Sequence, residues 1–167
     1  LGPMSLEDAE VEFIERFREA VRIRMLAEVP LGAFLSGGVD SSAVVAMMAG
    51  INEQRGDQPV KTCSIAFPDP KYDESAYAKQ VADRYRTDHH INLVESDDIS
   101  LVDELARLYD EPYADSSAMP TYRVCQLARK DVTVALSGDG GDENFAGYRR
   151  YRWHSYEERM RHLLPYG

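Results

Sequence analysis

Two glycine-rich segments, each directly after a short apolar run, constrain the fold of this chain more than any other feature. The first, FLSGGVDSS, covers residues 34–42, and the second, LSGDGGDE, covers residues 136–143. Short apolar runs alternate along the chain with longer segments of helical composition, which is typical of a parallel sheet with helices on both faces. Ligands of such sheets lie beyond the carboxyl ends of the strands, so we expect both segments at one edge.

The apolar runs and the periodic segments between them predict the individual elements. The leading segment is an amphipathic helix because apolar residues recur at spacings of three and four; these are Val11, Ile14, Phe17, Val21 and Met25. The other predicted helices are 41–50, 74–86, 99–109 and 121–130. The predicted strands are 30–36, 60–67, 90–94 and 132–136.

The first glycine-rich segment has the composition of an anion-binding loop. Gly37 and Gly38 let backbone N–H groups approach a ligand closely, and the helix that follows presents the positive end of its dipole. Three hydroxyl groups can add donors, those of Ser36, Ser41 and Ser42. An ordinary turn in which Asp or Ser caps the helix has the same composition, so both interpretations stay open.

Carboxylates in both segments narrow the choice of ligand. The first segment lacks the lysine of an ordinary phosphate loop, and no G-x-G-x-x-G follows a strand. Asp40 next to a phosphate needs an intervening cation, and Mg²⁺ is held by one or two carboxylates together with phosphate oxygens. The second segment supplies Asp139, Asp142 and Glu143. The pattern favours a polyphosphate bound with Mg²⁺. The second segment does not have the ligand spacing of a calcium-binding loop. A plain surface turn is the alternative for this segment.

Net charge disfavours a nucleic-acid partner. The 167 residues carry a formal charge of -10, with a pI near 4.8, which repels a phosphate backbone. The arginines and aromatic residues of YRRYRWHSYEERMRH, residues 148–162, can bind nucleic acid, but the two glutamates favour an amphipathic helix that packs and is partly solvated. Cys63 and Cys125 form no C-x-x-C pair and are predicted to be reduced interior thiols of a cytoplasmic protein.

The chain is predicted to have no membrane span, because no apolar run approaches the roughly 20 residues required. Residues 1–5, LGPMS, have the composition of an expression-tag remnant. The expected organisation is a leading helix over 6–29, a ligand-binding core over 30–150 and the start of a truncated helical region over 151–167.

Several segments resemble one family. FLSGGVDSS is similar to the pyrophosphate-binding loop of the ATP pyrophosphatases, the PP-loop enzymes. ALSGDGGDENFAGYRRY resembles the second signature of the glutamine-hydrolysing asparagine synthetases, and DEPYADSSAMPTY and TDHHINL resemble further segments of that family. The resemblance covers residues 29–151. It implies a parallel five-stranded α/β core of the adenine nucleotide alpha hydrolase type and an ATP-dependent carbon–nitrogen ligase.

The resemblance also implies roles for individual residues. The pyrophosphate of ATP would be held by Ser36, Gly37, Gly38, Asp40, Ser41 and Ser42. Leu35, Ile65, Ser137 and Gly138 would line the adenosine pocket. Mg²⁺ would be held by Asp40 and Asp142, and Asp139, Asp142 and Glu143 would be catalytic. A substrate carboxylate, such as that of aspartate, would attack the α-phosphate, and ammonia would open the acyl-adenylate to an amide.

Departures from the family pattern bear on the substrate and on activity. Asp139 stands where the family usually has Glu, and Ser116 departs from a proline-containing form. The segment GGDENFAGYRRYRW is similar to the corresponding segment of amidotransferase-like members from exopolysaccharide or protein-sorting gene clusters. The acceptor therefore need not be free aspartate. The family's glutaminase domain and its downstream lysine are not in this chain, whose last lysine is Lys130. We therefore expect a fragment of a larger enzyme.

Two alternatives remain at this point. Another PP-loop enzyme, such as a tRNA-modifying enzyme or an NAD or GMP synthetase, would keep the fold and change the substrate. A nucleotide-binding module without activity is the non-enzymatic alternative. His89 and His90 suggest a metal site, but neighbours on a strand face opposite sides and cannot easily bind one ion, so a structural or surface role is favoured. Asp110, Glu111 and Asp115 could bind a substrate amine or could simply be solvated.

Overall fold

The computed structural model describes residues 4–94, 100–113, 115 and 117–161, and it has the predicted alternation of strands and helices. Residues 1–3, 95–99 and 162–167, together with Ala114 and Ser116, lie outside the described residues. The elements, in chain order, are α1 (Leu6–Arg24), β1 (Leu31–Phe34), α2 (Val39–Arg55), β2 (Lys61–Ala66), α3 (Ser75–Tyr85), β3 (Asp88–Leu93), α4 (Ser100–Leu108), α5 (Ala118–Ala128), β4 (Val134–Leu136), α6 (Gly141–Phe145) and α7 (Arg149–Arg161).

The described strands form one four-stranded sheet in the order β3-β2-β1-β4, and all three neighbouring pairs are parallel. The predicted parallel α/β fold is therefore confirmed. The fifth strand implied by the resemblance is not among the described residues. Successive strands extend the sheet from β1 to β3, and β4 then adds on the other side of β1. The strand order thus reverses between β1 and β4, where ligands of such sheets bind.

Helices cover both faces of the sheet because successive strand residues point to opposite sides. On one face, Ala33 of β1 belongs to a buried cluster that also includes Val45 and Met48 of α2. On the other face, Phe34 packs with Cys63 of β2 and Leu127 of α5. The two clusters hold β1 and β2 between α2 and α5, which makes the centre of the sheet a rigid base for the loops at its edge.

The leading helix covers less of the core than its apolar pattern predicts. Val21 is buried and Phe17 and Met25 pack on the core, but Val11 is 57% exposed and Ile14 is 44% exposed. The helix also ends at Arg24, five residues before the end of the predicted range 6–29. A 19-residue helix is about 28 Å long, so only its second half lies over the core.

The last helix corrects the prediction for the arginine-rich segment. The segment forms α7, but none of its residues is buried, and Trp153 is 71% exposed. Its aromatic and charged residues alternate around the whole circumference, so no apolar stripe forms. An amphipathic helix that packs was therefore the wrong expectation. Within the part of the chain that the structure describes, no helix is long and apolar enough to cross a membrane.

Candidate active site

A cleft of about 860 Å³ lies where the segments that follow β1, β2 and β4 meet. Its lining includes eleven of the thirteen residues predicted for the site: Leu35, Ser36, Gly38, Asp40, Ser41, Ile65, Ser137, Gly138, Asp139, Asp142 and Glu143. The other two, Gly37 and Ser42, are not in the lining. Both glycine-rich segments therefore meet at one edge of the sheet, as their positions after strands predict.

The first loop is held by its own hydroxyl groups. The Ser36 and Ser41 hydroxyl oxygens are 3.0 Å apart, and the Ser41 hydroxyl donates to the carbonyl oxygen of Gly38 over 3.3 Å. The backbone N–H of Gly38 donates to the Ser36 hydroxyl over 3.3 Å. The Ser42 hydroxyl is buried and has no hydrogen-bond partner among the described residues. These bonds close the loop into a compact turn at the start of α2.

The helix that follows the loop begins without a side-chain cap. Gly38 is its N-cap residue, and it makes no side-chain cap hydrogen bond to the first turn of the helix. The alternative in which Asp or Ser caps the helix is therefore not what the structure has. Asp40 lies instead in the first turn, and its carboxylate lines the cleft. The uncapped N–H groups and the helix dipole remain available to an anion.

Both the backbone conformation and the close neighbours of position 37 require a glycine there. Its φ of +85° lies in the left-handed region, which side chains rarely adopt. A Cβ built on it would lie 2.5 Å from the backbone nitrogen of Ala78 and 2.6 Å from Cβ of Tyr77. The first loop is therefore packed tightly against the start of α3.

Gly138 brings the second loop onto the first turn of α2. A Cβ built on Gly138 would lie 2.5 Å from the backbone nitrogen of Ser41 and 2.9 Å from the backbone carbonyl carbon of Asp40. Such an approach between two main chains is possible only for a residue without a side chain. This contact brings the carboxylates of the second loop to the same cleft as Asp40.

Two acidic residues of the second loop, Asp139 and Glu143, accept hydrogen bonds from different side chains. The Ser137 hydroxyl donates to Oδ2 of Asp139 over 3.0 Å. The Tyr148 hydroxyl donates to Oε1 of Glu143 over 2.6 Å, and the Arg150 guanidinium lies 4.2 Å from the centre of the Tyr148 ring. The hydrogen bond from Tyr148 lowers the pKa of Glu143 below its usual value, because it stabilises the carboxylate form. Glu143 is therefore ionised at neutral pH.

The donor set of the cleft fits a magnesium ion bound together with phosphate. Asp40 and Asp142 both line the cleft and are half-buried. Among the described residues, no group of three or more His, Cys, Asp or Glu side chains could hold a metal. Mg²⁺ does not need such a cage, because it takes one or two carboxylates and fills its remaining positions with phosphate oxygens and water.

Apolar groups form the floor of the cleft. Leu35 is 1% exposed, Cys63 is 2% exposed, and Ile65, Phe67 and Val124 also line the space. Burial raises the pKa of the Cys63 thiol to about 11, so it is protonated and unreactive at neutral pH. A surface of this kind suits a flat apolar ring rather than a charged group.

Cys125 corrects the prediction of two interior thiols. Cys63 is buried as predicted, but Cys125 lies exposed on α5. Both cysteines are free. Cys125 lies one turn before the buried Ala128 on the same helix, so the local sequence pattern does not show which of the two residues is covered.

Two parts of the cleft were missed because no motif marks them. The loop after β2 contributes Tyr72, Glu74 and Ser75, and the start of α5 contributes Pro120 and Thr121. Asp73 fixes the first of these segments, since its Oδ1 accepts from the backbone N–H of Ser75 over 3.1 Å. The position of this Pro-rich loop after a predicted strand was a usable signal, because it places the loop at the ligand edge.

The remaining candidate residues lie outside the cleft. The Thr62 hydroxyl oxygen is 2.8 Å from Nδ1 of His89, while His90 faces Asp131, with 3.5 Å between Nδ1 and Oδ2. The two histidines thus face opposite sides of β3, as expected for neighbours on a strand. Asp110, Glu111 and Asp115 are exposed, and Asp115 accepts from the backbone N–H of Ser117 over 2.8 Å.

The fold and the cleft together define the class of this protein: a parallel α/β domain whose ligand cleft lies where the strand order reverses. Residues 12–166 match the model of the asparagine synthase family, and the chain belongs to that family. The chain is 50% identical over 131 residues to a putative asparagine synthetase [glutamine-hydrolyzing] of Methanocaldococcus jannaschii, covering 78% of the chain and 25% of that relative. It is 34% identical over 155 residues to asparagine synthetase [glutamine-hydrolyzing] 1 of Bacillus subtilis, covering 90% of the chain and 23% of that relative.

The chain was also compared with solved structures. The NH3-dependent NAD synthetase from Campylobacter jejuni aligns with a TM-score of 0.48 and 13% sequence identity, covering 87% of this chain and 61% of that one. The chain spans about a quarter of the length of the curated relatives named above.

Proposed function

We propose that this chain is part of the synthetase domain of an asparagine synthetase-like amidotransferase. In this proposal the cleft binds Mg²⁺ and ATP, activates a carboxylate as an acyl-adenylate with release of pyrophosphate, and transfers ammonia to form an amide. The observation that carries the proposal is the contact of Gly138 with the first turn of α2. That contact supports the proposal because it lets the acidic residues of the second loop act on a ligand that the first loop would hold.

The residues of the first loop would hold the pyrophosphate that leaves. The N–H groups at the start of α2 would donate to its negative charge, and the hydroxyls of Ser36 and Ser41, which bond within the loop in the structure, would turn to the pyrophosphate on binding. Leu35 and Ile65 would contact the adenine ring. Asp40 and Asp142 would hold Mg²⁺, which when bound adds positive charge beside the leaving group. Attack at the α-phosphate then depends mainly on positioning.

The acidic residues beyond Asp142 would face the acceptor. Asp139 is exposed in the cleft and is held by Ser137, and Glu143 is ionised and held by Tyr148. Two fixed negative charges suit an acceptor that carries an ammonium group as well as the reacting carboxylate, as aspartate does. Asp139 is one methylene shorter than the family's usual Glu, so the acceptor at this position can be larger than aspartate.

Ammonia would reach this cleft from outside the chain. The relatives are named glutamine-hydrolyzing, and the chain corresponds to about a quarter of their length. We propose that glutamine hydrolysis belongs to a glutaminase domain of the parent protein, and that the enzyme works in the cytoplasm on small-molecule substrates.

Product analysis tests this function directly. The chain is incubated with Mg²⁺, ATP, L-aspartate and ammonia, and AMP and pyrophosphate are measured with and without aspartate. Asp40→Asn and Asp142→Asn are expected to reduce metal-dependent ATP binding, measured by calorimetry, whereas Asp83→Asn is the control because Asp83 pairs with Lys79 on the surface of α3. ATP binding without AMP formation would indicate a binding module, and equal affinity in all three variants would contradict the metal assignment.

A further inference from the structure

Gly141, the first residue of α6, lies directly against the carboxylate of Asp40. A Cβ built on Gly141 would lie 2.5 Å from Oδ1 and 2.6 Å from Oδ2 of Asp40, far inside ordinary contact distance. The φ of Gly141 is not in the left-handed region, so its backbone conformation admits alanine. What the absent side chain provides here is space, and the carboxylate occupies that space.

Gly147 has the same relation to Asp142. A Cβ built on Gly147 would overlap Oδ1 of Asp142 and lie 2.8 Å from its Cγ. Its φ also lies outside the left-handed region. The backbone N–H of Gly147 donates to the carbonyl oxygen of Asp142 over 3.0 Å, which holds the two residues together at the end of α6.

These two glycines differ from Gly138 in what surrounds them. The atoms nearest to a Cβ on Gly138 belong mainly to the main chain of α2, which cannot move without disturbing the helix. The nearest atoms at Gly141 and Gly147 belong to a short side chain that can rotate about χ1. A Cβ at either position is therefore accommodated by displacing one carboxylate, with little effect on the fold.

We propose that Gly141 and Gly147 are positioning residues, one for each carboxylate, and that together they place Asp40 and Asp142 as a pair for a divalent cation. The inference rests on the proposed function for its ligand. Residues that orient metal ligands typically change metal affinity by about 10–100-fold when they are replaced. Each glycine should therefore control metal binding through its own aspartate and not through the other one.

The test compares Gly141→Ala and Gly147→Ala with the wild-type chain in calorimetric titrations with ATP, with and without Mg²⁺. Each variant is expected to weaken metal-dependent ATP binding by about 10–100-fold and to leave metal-free binding within about twofold. Gly50→Ala is the matched control, because a Cβ on Gly50 meets nothing within 4 Å. Urea midpoints of Gly141→Ala and Gly147→Ala, measured in parallel, are expected to stay close to that of the wild type.

Double variants separate positioning from a general disturbance of the loop. Gly141→Ala should cause no further loss in an Asp40→Ala background, because the carboxylate that it displaces is already absent, but it should add its full effect to Asp142→Ala. Gly147→Ala should show the reverse pattern. Equal additivity in both backgrounds would overturn the pairing, since independent sites add and coupled sites do not.

Two further outcomes overturn the inference and distinguish its failure from that of the proposed function. If the wild-type chain shows metal-dependent binding and both alanine variants match it, the positioning role fails alone. If the wild-type chain binds ATP equally with and without Mg²⁺, the metal assignment of the proposed function fails, and the inference fails with it. A crystal structure of each variant gives an independent result: unmoved aspartate carboxylates would contradict the inference.

Discussion

Gly138→Ala should destabilise the protein through a collision between two main chains. The new Cβ would lie 2.5 Å from the backbone nitrogen of Ser41, about 1 Å closer than ordinary van der Waals contact. Overpacking of this kind costs about 1–3 kcal/mol, and alanine recovers about 0.4–1 kcal/mol by restricting the unfolded chain. We therefore expect a net loss of about 1–2 kcal/mol in the free energy of unfolding.

Gly50→Ala is the matched comparison because Gly50 lies within the same helix, α2, in open space. Alanine at an open helical position should stabilise the protein by about 0.5–1 kcal/mol. Urea unfolding followed by circular dichroism gives both values, provided that the slope with denaturant is unchanged. The two substitutions should shift the midpoint in opposite directions. A Gly138→Ala chain that is as stable as Gly50→Ala would refute the contact between the second loop and α2.

Three other predictions concern the loop, a histidine and the cysteines. Gly37→Ala should lower the urea midpoint more than Gly56→Ala, since both glycines have positive φ but only Gly37 faces neighbouring atoms; equal losses would contradict this packing. Desolvation lowers the pKa of His89 in the folded protein below its usual value of 6.5. The unfolded chain therefore binds more protons at His89, and the free energy of unfolding should decline as the pH falls from 6.5 toward the folded pKa. An NMR titration that gives a pKa of 6.5 or higher for His89 would contradict this. Iodoacetamide should modify exposed Cys125 in the native protein but buried Cys63 only after unfolding, as mass spectrometry would show.

The sequence pattern alone was sufficient to predict the helices and strands and the edge of the sheet at which the cleft forms. The four predicted strands correspond to β1 to β4, with ends that differ by up to two residues. Crossover helices require parallel strands, and loops that follow parallel strands emerge at one edge. The approach of the two glycine-rich loops follows from these rules without knowledge of any contact. For the same reason the Pro-rich loop at Asp73, which carries no motif, belongs to the same edge.

Surface burial was predicted less well, because a helix shows which of its faces is apolar but not how far it overlaps its neighbours. Val11 and Ile14 fit the same apolar stripe as Val21, yet only Val21 is buried. Cys125 is a residue type that is usually buried, but it is exposed on α5. Overlap and helix rotation depend on the neighbouring elements, which a local pattern does not contain.

The sequence by itself determined the parallel α/β architecture, the two loops at one edge and the residue types of the cleft, because strand and helix periods and glycine positions are local properties. Only the tertiary structure decided the strand order, the contact of Gly138 with α2, the hydrogen bond from Tyr148 to Glu143, and the placement of each aspartate against a glycine. In two of these glycine contacts, those of Gly138 and Gly141, the partner is about 100 residues away in the chain. Contacts at that separation arise from packing, in which excluded volume and hydrogen-bond geometry select one arrangement among many that the same local pattern allows.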